Sequence, residues 1–413
     1  MKNNNNATCS DKTEWGKDVF DLLSWFKLDK TKNAKVLVVG AGALGNEVLK
    51  NLGLFGVGHI IIVDFDQIEY SNLTRSILFR PEDADKGYYK AEVAAKRLKE
   101  VNPTIEVQAI CGDLSSGVGL GVYRRVDVVV GCLDSVWARI LLNRQCFRMN
   151  KIFIDGGIGD LEGYATGYQL DVDCYECHLS EKEKMAAKTS KMSCSGVATI
   201  NEKHGRLATT PVSASIIAAV QAQEAMKIIH KEELEAGKFT SIIGKIFKYN
   251  GAFFNSAFYN DASEYYDDCI FHEEWKDIVE IPYLSANTTV KDTLQILKSV
   301  LEVESVTIKL INDKFVDFLT SRNENKKFEV MMPVSKIRDH IESDEELEDL
   351  AWREGWIYQN EISEIDENFP YQDLSLHQIG IPYFDIIKVT HDKGISYIEL
   401  NADKELYKTI LNL

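Results

Sequence analysis

The turn Gly40-Ala-Gly42-Ala-Leu-Gly45 constrains this 413-residue chain more than any other feature. It follows a strand-length apolar run, Lys35-Val-Leu-Val-Val39, and opens a segment with helical spacing over residues 46–54. Glycines at the first, third and sixth positions permit a tight turn and close backbone approach to phosphate. The helix start adds free N–H groups and a partial positive charge. Asp64 closes the next apolar run, His59-Ile-Ile-Ile-Val63, about twenty residues on, where an acidic side chain can hold ribose hydroxyls. Taken alone, these residues fit a dinucleotide-dependent dehydrogenase and any other nucleotide enzyme equally well. A purely structural glycine turn also stays open.

The first half keeps alternating short apolar runs with helical stretches, the pattern of a parallel sheet wrapped by helices. Strands are expected at 35–39, 59–63, 105–110, 126–130 and 152–155, with helices at 46–54, 90–101 and 136–147. Longer strands containing Gly and Tyr follow, such as 163–170. Residues 178–209, rich in Lys, Ser and Met, show no periodicity and read as a loop long enough to be functional. Thr210 suits a helix N-cap and Pro211 the first helical position, so a small-residue helix is expected from there to His230. Composition shifts near 267–279. Beyond it come a helix at 288–301, strands at 306–311 and 328–333, an acidic helix face at 342–349 and two tail strands around Asp392-Lys-Gly394. The expected fold is therefore α/β, a Rossmann-like domain with a mixed sheet over 31–275. A lead segment over 1–30 precedes it, and a smaller α+β domain of β-grasp, ubiquitin-fold-like character follows over 276–413.

Composition narrows the function classes. With 45% hydrophobic and 27% charged residues the chain can bury a large core. A net charge of -17 argues against nucleic-acid binding, which relies on clustered Lys and Arg. No apolar run approaches the roughly 18–20 residues that span a bilayer, so no membrane partner is expected. The start Met1-Lys-Asn-Asn-Asn-Asn6 lacks the apolar core of a signal peptide. Eight cysteines without secretory features then suggest a cytoplasmic protein whose cysteines are metal ligands, nucleophiles or core residues.

The residues after Asp64 separate the nucleotide readings. Asp64-Phe-Asp66 leads into Ser71-Asn72-Leu-Thr-Arg75, Lys90 starts a helix, and Cys132-Leu-Asp134-Ser135 ends a strand. All fall at the carboxyl ends of expected parallel strands or in the loops beside them, where open α/β sheets bind ligands. Two cations and an Asp suit a triphosphate with Mg²⁺ better than a hydride-transfer cofactor. Arg75 can neutralise phosphate oxygens, Asn72 can hydrogen-bond them, Lys90 can hold the chain and Asp134 can take the metal.

At these residues the sequence resembles the ThiF/MoeB/HesA superfamily, which includes the adenylation domains of ubiquitin-activating enzymes. The resemblance covers residues 31–275 and rests on Gly-Ala-Gly-Ala-Leu-Gly, Asp-Phe-Asp, Ser-Asn-Leu-Thr-Arg, Lys-Ala-Glu-Val-Ala-Ala, Cys-Leu-Asp-Ser and the late helix from Ile217 to Lys227. It implies that ATP and Mg²⁺ bind at Gly40, Gly42, Gly45, Asp64, Asp66, Asn72, Arg75, Lys90, Asp134 and Ser135. Asp64 would take the ribose, Asn72, Arg75 and Lys90 the phosphates, and Asp134 the Mg²⁺. The C-terminal glycine of a ubiquitin-like or sulfur-carrier protein would attack the α-phosphate, giving an acyl adenylate and pyrophosphate. Relatives often carry an N-terminal arginine that reaches the partner subunit's ATP, yet residues 1–40 contain no Arg. Either Lys17 or Lys27 substitutes or another chain supplies the cation, so homodimer and heterodimer both stay open.

Cys174-Tyr-Glu-Cys177 and Cys269-Ile-Phe-His272 together offer four ligands of a closed, tetrahedral Zn²⁺ site. Relatives pair two Cys-x-x-Cys knuckles here, so His272 is a departure that zinc chemistry accepts. Cys194 lies in the 178–209 loop with Lys188 and Lys191 near to favour its thiolate. The resemblance implies a catalytic nucleophile that forms a thioester with the activated carrier. A cysteine without chemistry is the alternative. His204 shares that loop. Cys111 and Cys146 are expected to be buried, and Cys132 to abut the nucleotide site. No cysteine follows Cys269, which excludes thiol-based sulfur transfer by the second domain. Its position is similar to that of the domain recruiting conjugating enzymes in ubiquitin-activating enzymes. Three readings result: activation of a ubiquitin-like protein, adenylylation of a sulfur carrier for molybdopterin or thiamin synthesis, and a non-catalytic scaffold subunit. Arg75, Lys90 and Asp134 stand against the third.

Overall fold

The computed structural model describes residues 14–192, 209–253, 255–260, 269–321, 326–344, 347–348 and 356–413. Its centre is an eight-stranded sheet of β1 (Lys35–Val39), β2 (His59–Val63), β3 (Glu106–Ile110), β4 (Val128–Gly131), β5 (Phe153–Ile158), β6 (Glu162–Tyr168), β7 (Lys245–Asn250) and β8 (Asn255–Asn260), ordered 3-2-1-4-5-6-7-8. The first five strands are parallel and the last three run antiparallel. Strand order reverses between β1 and β4, which opens a crevice at their carboxyl ends. This is the Rossmann-like mixed α/β fold that the sequence pattern implies.

Strands buried on both faces read as near-continuous apolar runs, and β1 and β2 after their half-buried first residues Lys35 and His59, with all of β4, are such runs. Val36, Val38, Ile60, Ile62, Val128 and Val130 face α1 (Ala43–Phe55), α2 (Lys90–Val101) and the helix Pro211–Ile229. Leu37, Val39, Ile61, Val63 and Val129 alternate to the other face, toward α3 (Leu120–Arg125) and α4 (Val136–Arg148). One stretch departs from expectation. Within residues 178–209, α5 (Glu181–Met192) is helical. Its start is a capping box: the Ser180 hydroxyl accepts the Glu183 N–H at 3.3 Å and the Glu183 carboxylate accepts the Ser180 N–H at 2.8 Å. Residues 193–208 lie outside the described residues, Cys194 and His204 among them. The helix α6 (Pro211–Ile229) then begins as its sequence dictates, with Thr210 accepting the Ser213 N–H.

The C-terminal part is α+β. Its strands are β9 (Val279–Ile281), β10 (Val306–Lys309), β11 (Phe315–Ser321), β12 (Lys327–Pro333), β13 (Trp356–Gln359), β14 (Glu364–Ile365), β15 (Ile386–His391) and β16 (Gly394–Leu400). They form a five-stranded sheet ordered 14-10-15-16-9 and a three-stranded sheet ordered 12-11-13. The helix α7 (Val290–Leu301) packs Val290, Leu294 and Leu297 into the core of the larger sheet. The smaller sheet has its own core of Val316, Leu319, Val330 and Ile337; its strand β12 falls where a strand is expected at 328–333, and β11 and β13 are additions.

This part also completes the second face of the central sheet. Phe384, Tyr407, Ile410 and Leu411 belong to the same buried cluster as Leu37 and Ile61. The contact is backbone to backbone. The Gly121 N–H donates to the Phe384 carbonyl at 2.9 Å, and a Cβ on Gly119 or Gly121 would come within 2.4 Å of the Tyr383 or Phe384 carbonyl oxygen. Arg124 and Arg125 both donate to the fully buried Glu399 carboxylate, at 2.8 and 2.7 Å. A buried carboxylate held by two guanidinium groups avoids the cost of an unpaired charge.

Candidate functional site

The glycine turn joins β1 to α1 at the switch point, and its three glycines answer different demands. Gly40 has φ +94, and a Cβ there would approach the Cys132 carbonyl to 2.4 Å. A Cβ on Gly45 would lie 2.0 Å from the Gly40 carbonyl oxygen. Both glycines are forced by the protein's own packing. Gly42, the N-cap of α1, differs: among the described residues a Cβ there meets nothing within 4 Å. The described residues therefore leave open space beside the backbone at that point.

Asp64 leaves β2 and locks the turn. Its carboxylate accepts the Ala41 N–H at 2.7 Å and the Asp66 N–H at 2.8 Å. Burial pushes this carboxyl above its ordinary value, opposed by the Ala41 N–H and the Lys90 charge. Lys90, the first residue of α2, is buried and donates to Asp66 at 2.6 Å. Arg75 is half-buried and donates to the Ser71 carbonyl at 2.8 Å. Asn72 ends a short 3₁₀ turn, where its side-chain oxygen accepts the Glu69 N–H at 2.9 Å. Asp134 stands exposed just past β4, and Ser135 caps α4 by accepting the Ala138 N–H. The structure therefore sets Gly40, Gly42, Gly45, Asp64, Asp66, Lys90, Asp134 and Ser135 at or beside the carboxyl ends of β1, β2 and β4, while Asn72 and Arg75 lie on the segment that follows β2, each bonded within that segment. Ser135 has a capping role that needs no ligand.

The other candidates are distributed as follows. Cys132 lies under the turn, as expected. Cys146 is buried, but Cys111 is exposed, against expectation, because it lies one residue past the edge strand β3. Lys17 is exposed and pairs with Asp21 at 3.0 Å. Lys27, also exposed, gives its backbone N–H to His230.

Cys174, Cys177, Cys269 and His272 converge, with their ligand atoms all within 4.8 Å of one another. Each Cys-x-x knuckle closes with a turn, Cys177 N–H to Cys174 O and His272 N–H to Cys269 O, both 3.1 Å. The Cys177 sulfur is 3.4 Å from the His272 Nε2. Arg144 ties the two knuckles together. It makes a bidentate pair at 2.7 Å with the buried Glu176 of the first knuckle and stacks 3.6 Å over the Phe271 ring of the second. Burial pushes the Cys174 and Cys269 thiols up. Three thiols and an imidazole facing one point are a donor set that a divalent ion would hold as thiolates.

Two positioning features escape sequence reading. Asn46, fully buried, donates to the Ala41 and Gly42 carbonyls at 2.6 and 3.0 Å and accepts the Leu78 N–H at 2.9 Å. A polar residue on the apolar face of a helix is the signal that could have found it. The second is a buried brace behind the Cys132–Ser135 loop. Arg139 donates through Nε to both Asp155 oxygens at 3.0 and 2.9 Å, and through Nη2 to the Leu133 and Gly156 carbonyls at 2.5 and 3.1 Å. Burial works against the Arg139 charge, yet Asp155 outweighs it and holds the guanidinium above its ordinary value. Tyr164 donates to Asp155 at 3.1 Å.

A sequence profile described as the ThiF family matches residues 16–269. The probable molybdopterin-synthase adenylyltransferase of Porphyra purpurea is 34% identical over 225 residues, covering 54% of this chain and 53% of that protein. SUMO-activating enzyme subunit 2 of Dictyostelium discoideum is 35% identical over 161 residues, 38% of this chain and 24% of that protein. The chain thus spans about half the length of the first relative and about a quarter of the second. Among solved structures, E. coli MccB with succinimide is similar at 27% identity and a TM-score of 0.45, covering 56% of this chain and 65% of that one. Among the described residues, no helix is long and apolar enough to cross a membrane.

Proposed function

The chain belongs to the ThiF family, and from that premise we propose that it is an adenylyltransferase acting on the C-terminal glycine of a ubiquitin-like protein. A carboxylate oxygen of that glycine attacks the α-phosphorus of ATP. The bond to the bridging oxygen breaks, and pyrophosphate leaves with its electron pair. The observation that carries this reading is Gly42, whose missing side chain the surrounding protein does not require, at the N-terminus of α1. Backbone N–H groups of that first turn have no intrahelical acceptor and suit a phosphate.

Each polar group then has a task. Asp64, held on the turn by Ala41, presents a carboxylate edge to ribose hydroxyls. Lys90 and Arg75 neutralise charge on the phosphates, and Asn72, three residues before Arg75, donates its amide. Asp134 would hold Mg²⁺, which when bound neutralises developing charge on the leaving pyrophosphate. Lys90 is kept aimed by Asp66 at 2.6 Å, so its ammonium is not free to wander before ATP arrives.

The second step in this reading uses Cys194. Its thiolate attacks the acyl carbon, a thioester forms and AMP leaves. A conjugating enzyme docked on the C-terminal part would then accept the acyl group. The Cys174, Cys177, Cys269 and His272 set is proposed to hold a structural Zn²⁺ that ties the segment before α5 to the segment after β8. A dimer, homo- or heterodimeric, is proposed from the family; residues 1–40 contain no Arg, so Lys17, Lys27 or a different partner chain would supply the cation that relatives take from an N-terminal arginine. A cytoplasmic location accords with the reduced thiols this chemistry needs.

An alternative substrate is a sulfur-carrier protein, favoured by the name of the Porphyra purpurea relative. The scaffold reading is disfavoured by the presence of Arg75, Lys90 and Asp134. ATP–pyrophosphate exchange with ubiquitin-like and sulfur-carrier proteins tests the central claim. Exchange that depends on the carrier's terminal glycine supports it, and no exchange with any carrier despite ATP binding removes it. A non-reducing gel showing an adduct lost in Cys194→Ala then separates thioester transfer from adenylylation alone.

A further inference from the structure

We infer that Arg139 is a positioning residue that sets the metal-holding carboxylate of Asp134, an inference that rests on the adenylyltransferase reading. Asp134 is exposed and sits on a four-residue connection between β4 and α4. A carboxylate on so short a loop is only as well placed as its backbone. Arg139 fixes that backbone from below. It donates to the carbonyl of Leu133, the residue before Asp134, at 2.5 Å, while the same nitrogen reaches Gly156 on β5 at 3.1 Å. The guanidinium is itself pinned by Asp155, fully buried at the centre of β5, and Asp155 is held in turn by Tyr164 from β6. Gln221 of α6 donates to the Gly131 carbonyl at 2.8 Å and completes the support from the other face.

The chemistry explains why an arginine stands here. One planar, always charged group makes a bond to a carboxylate and two to carbonyls in fixed directions at once. A lysine offers a point charge that satisfies Asp155 but cannot span Leu133 and Gly156 together. A pair of apolar residues could fill the space, and buried ion pairs are often replaceable in that way without loss of stability. The pair therefore fits a demand for geometry at Asp134 rather than for stability alone.

The test separates metal holding from folding. Mn²⁺ replaces Mg²⁺ and is followed by paramagnetic resonance in the presence of ATP, with wild type, Arg139→Lys and the double variant Arg139→Met/Asp155→Leu. ATP binding with metal removed by EDTA is measured by calorimetry on the same proteins, and melting curves confirm folding. The expected result is a roughly ten- to hundred-fold weaker Mn²⁺ site in Arg139→Lys, with metal-free ATP affinity within about two-fold of wild type. Equal losses with and without metal would mean a merely structural role and would overturn the inference. So would an unchanged Mn²⁺ site in either folded variant. If Arg139→Lys does not fold, the double variant, whose apolar pair leaves no orphaned charge, decides on the same criteria. Wild type that binds no ATP at all would remove the adenylyltransferase reading and this inference with it. Wild type that binds Mn²⁺ and ATP alongside an unaffected variant removes only the inference.

Discussion

The crevice at the glycine turn and the Cys/His cluster are both gathered from distant parts of the chain, yet they are built in opposite ways. The crevice is made of backbone and of charged groups left partly open: Gly42 borders space, Asp134 is exposed, and Lys90 is held by the half-open carboxylate of Asp66. The cluster is made of side chains that face one another within 4.8 Å, roofed by Phe271 and Arg144. A site whose ligand must arrive and leave keeps open space and unspent hydrogen-bond donors. A site whose ligand stays closes over it. Stability and turnover should therefore respond to substitution in opposite senses at the two places.

The largest expected effect is at the closed site. Cys174→Ser removes one of four donors from a buried position, and structural zinc contributes folding energy directly. Bound metal should fall from one equivalent to none, with a loss of several kcal/mol of stability and a lower Tm. Metal analysis by mass spectrometry beside a melting curve checks it. A wild type that is folded and metal-free breaks the comparison at once.

Next in size is a contrast within the glycine turn. Gly45→Ala drives a Cβ to 2.0 Å from the Gly40 carbonyl, a backbone atom that cannot swing aside. It should cost about 3 kcal/mol, the upper end of ordinary overpacking. Gly42→Ala meets no described atom and should cost about 1 kcal/mol or less, as an alanine in place of glycine at an N-cap. Yet Gly42→Ala should weaken ATP binding by at least about ten-fold, near 1.4 kcal/mol. Denaturant midpoints and ATP titrations on the two variants give the four numbers. If Gly42→Ala binds ATP as wild type does, the open space is not where the phosphates lie.

Much of this was readable from sequence because the signals are local. The apolar runs Val36–Val39, Ile60–Val63 and Val128–Gly131 have the length and β-branched composition of buried strands, and Thr210-Pro211 suits a helix start. The positions of the glycine turn, Asp64 and Asp134 were legible because each sits at a strand end whose place in a parallel sheet is predictable, and that of Lys90 because it opens a helix. What stayed hidden depends on contacts distant in sequence. Gly119 and Gly121 read as loop filler until Phe384 arrives from across the chain, and Arg139 gives no clue that its partners are Leu133, Asp155 and Gly156. Helix α5 was missed for a different reason: Ser180 and Glu183 carry a local capping signal, but the long polar run around them masks it. Cys111 was expected to be buried, and the sheet order that puts β3 at the edge is set by pairings distant in sequence.

The smallest effect sharpens the contrast most, because its sign depends on pH. The Asp64 carboxyl is raised above its ordinary value near 3.8 by burial, so the folded chain holds that proton more tightly than the unfolded chain does. The stability this adds is fully present below the unfolded value and is lost as pH rises through the folded one. Asp64→Asn keeps the shape but cannot ionise. It gives up one acceptor, since Ala41 and Asp66 both donate N–H groups to the carboxylate and an amide oxygen can serve one of them. A lost bond and a relieved charge roughly offset, so stability near neutral pH should differ from wild type by about 1 kcal/mol at most. The difference between variant and wild type should nonetheless move in the variant's favour as pH rises from about 4 toward neutrality, while ATP binding falls because the ribose contact is weakened. Melting curves of both proteins across that range read the slope directly. A slope of the opposite sign would mean that Asp64 is a stabilising carboxylate, and the crevice would then resemble the closed site rather than contrast with it.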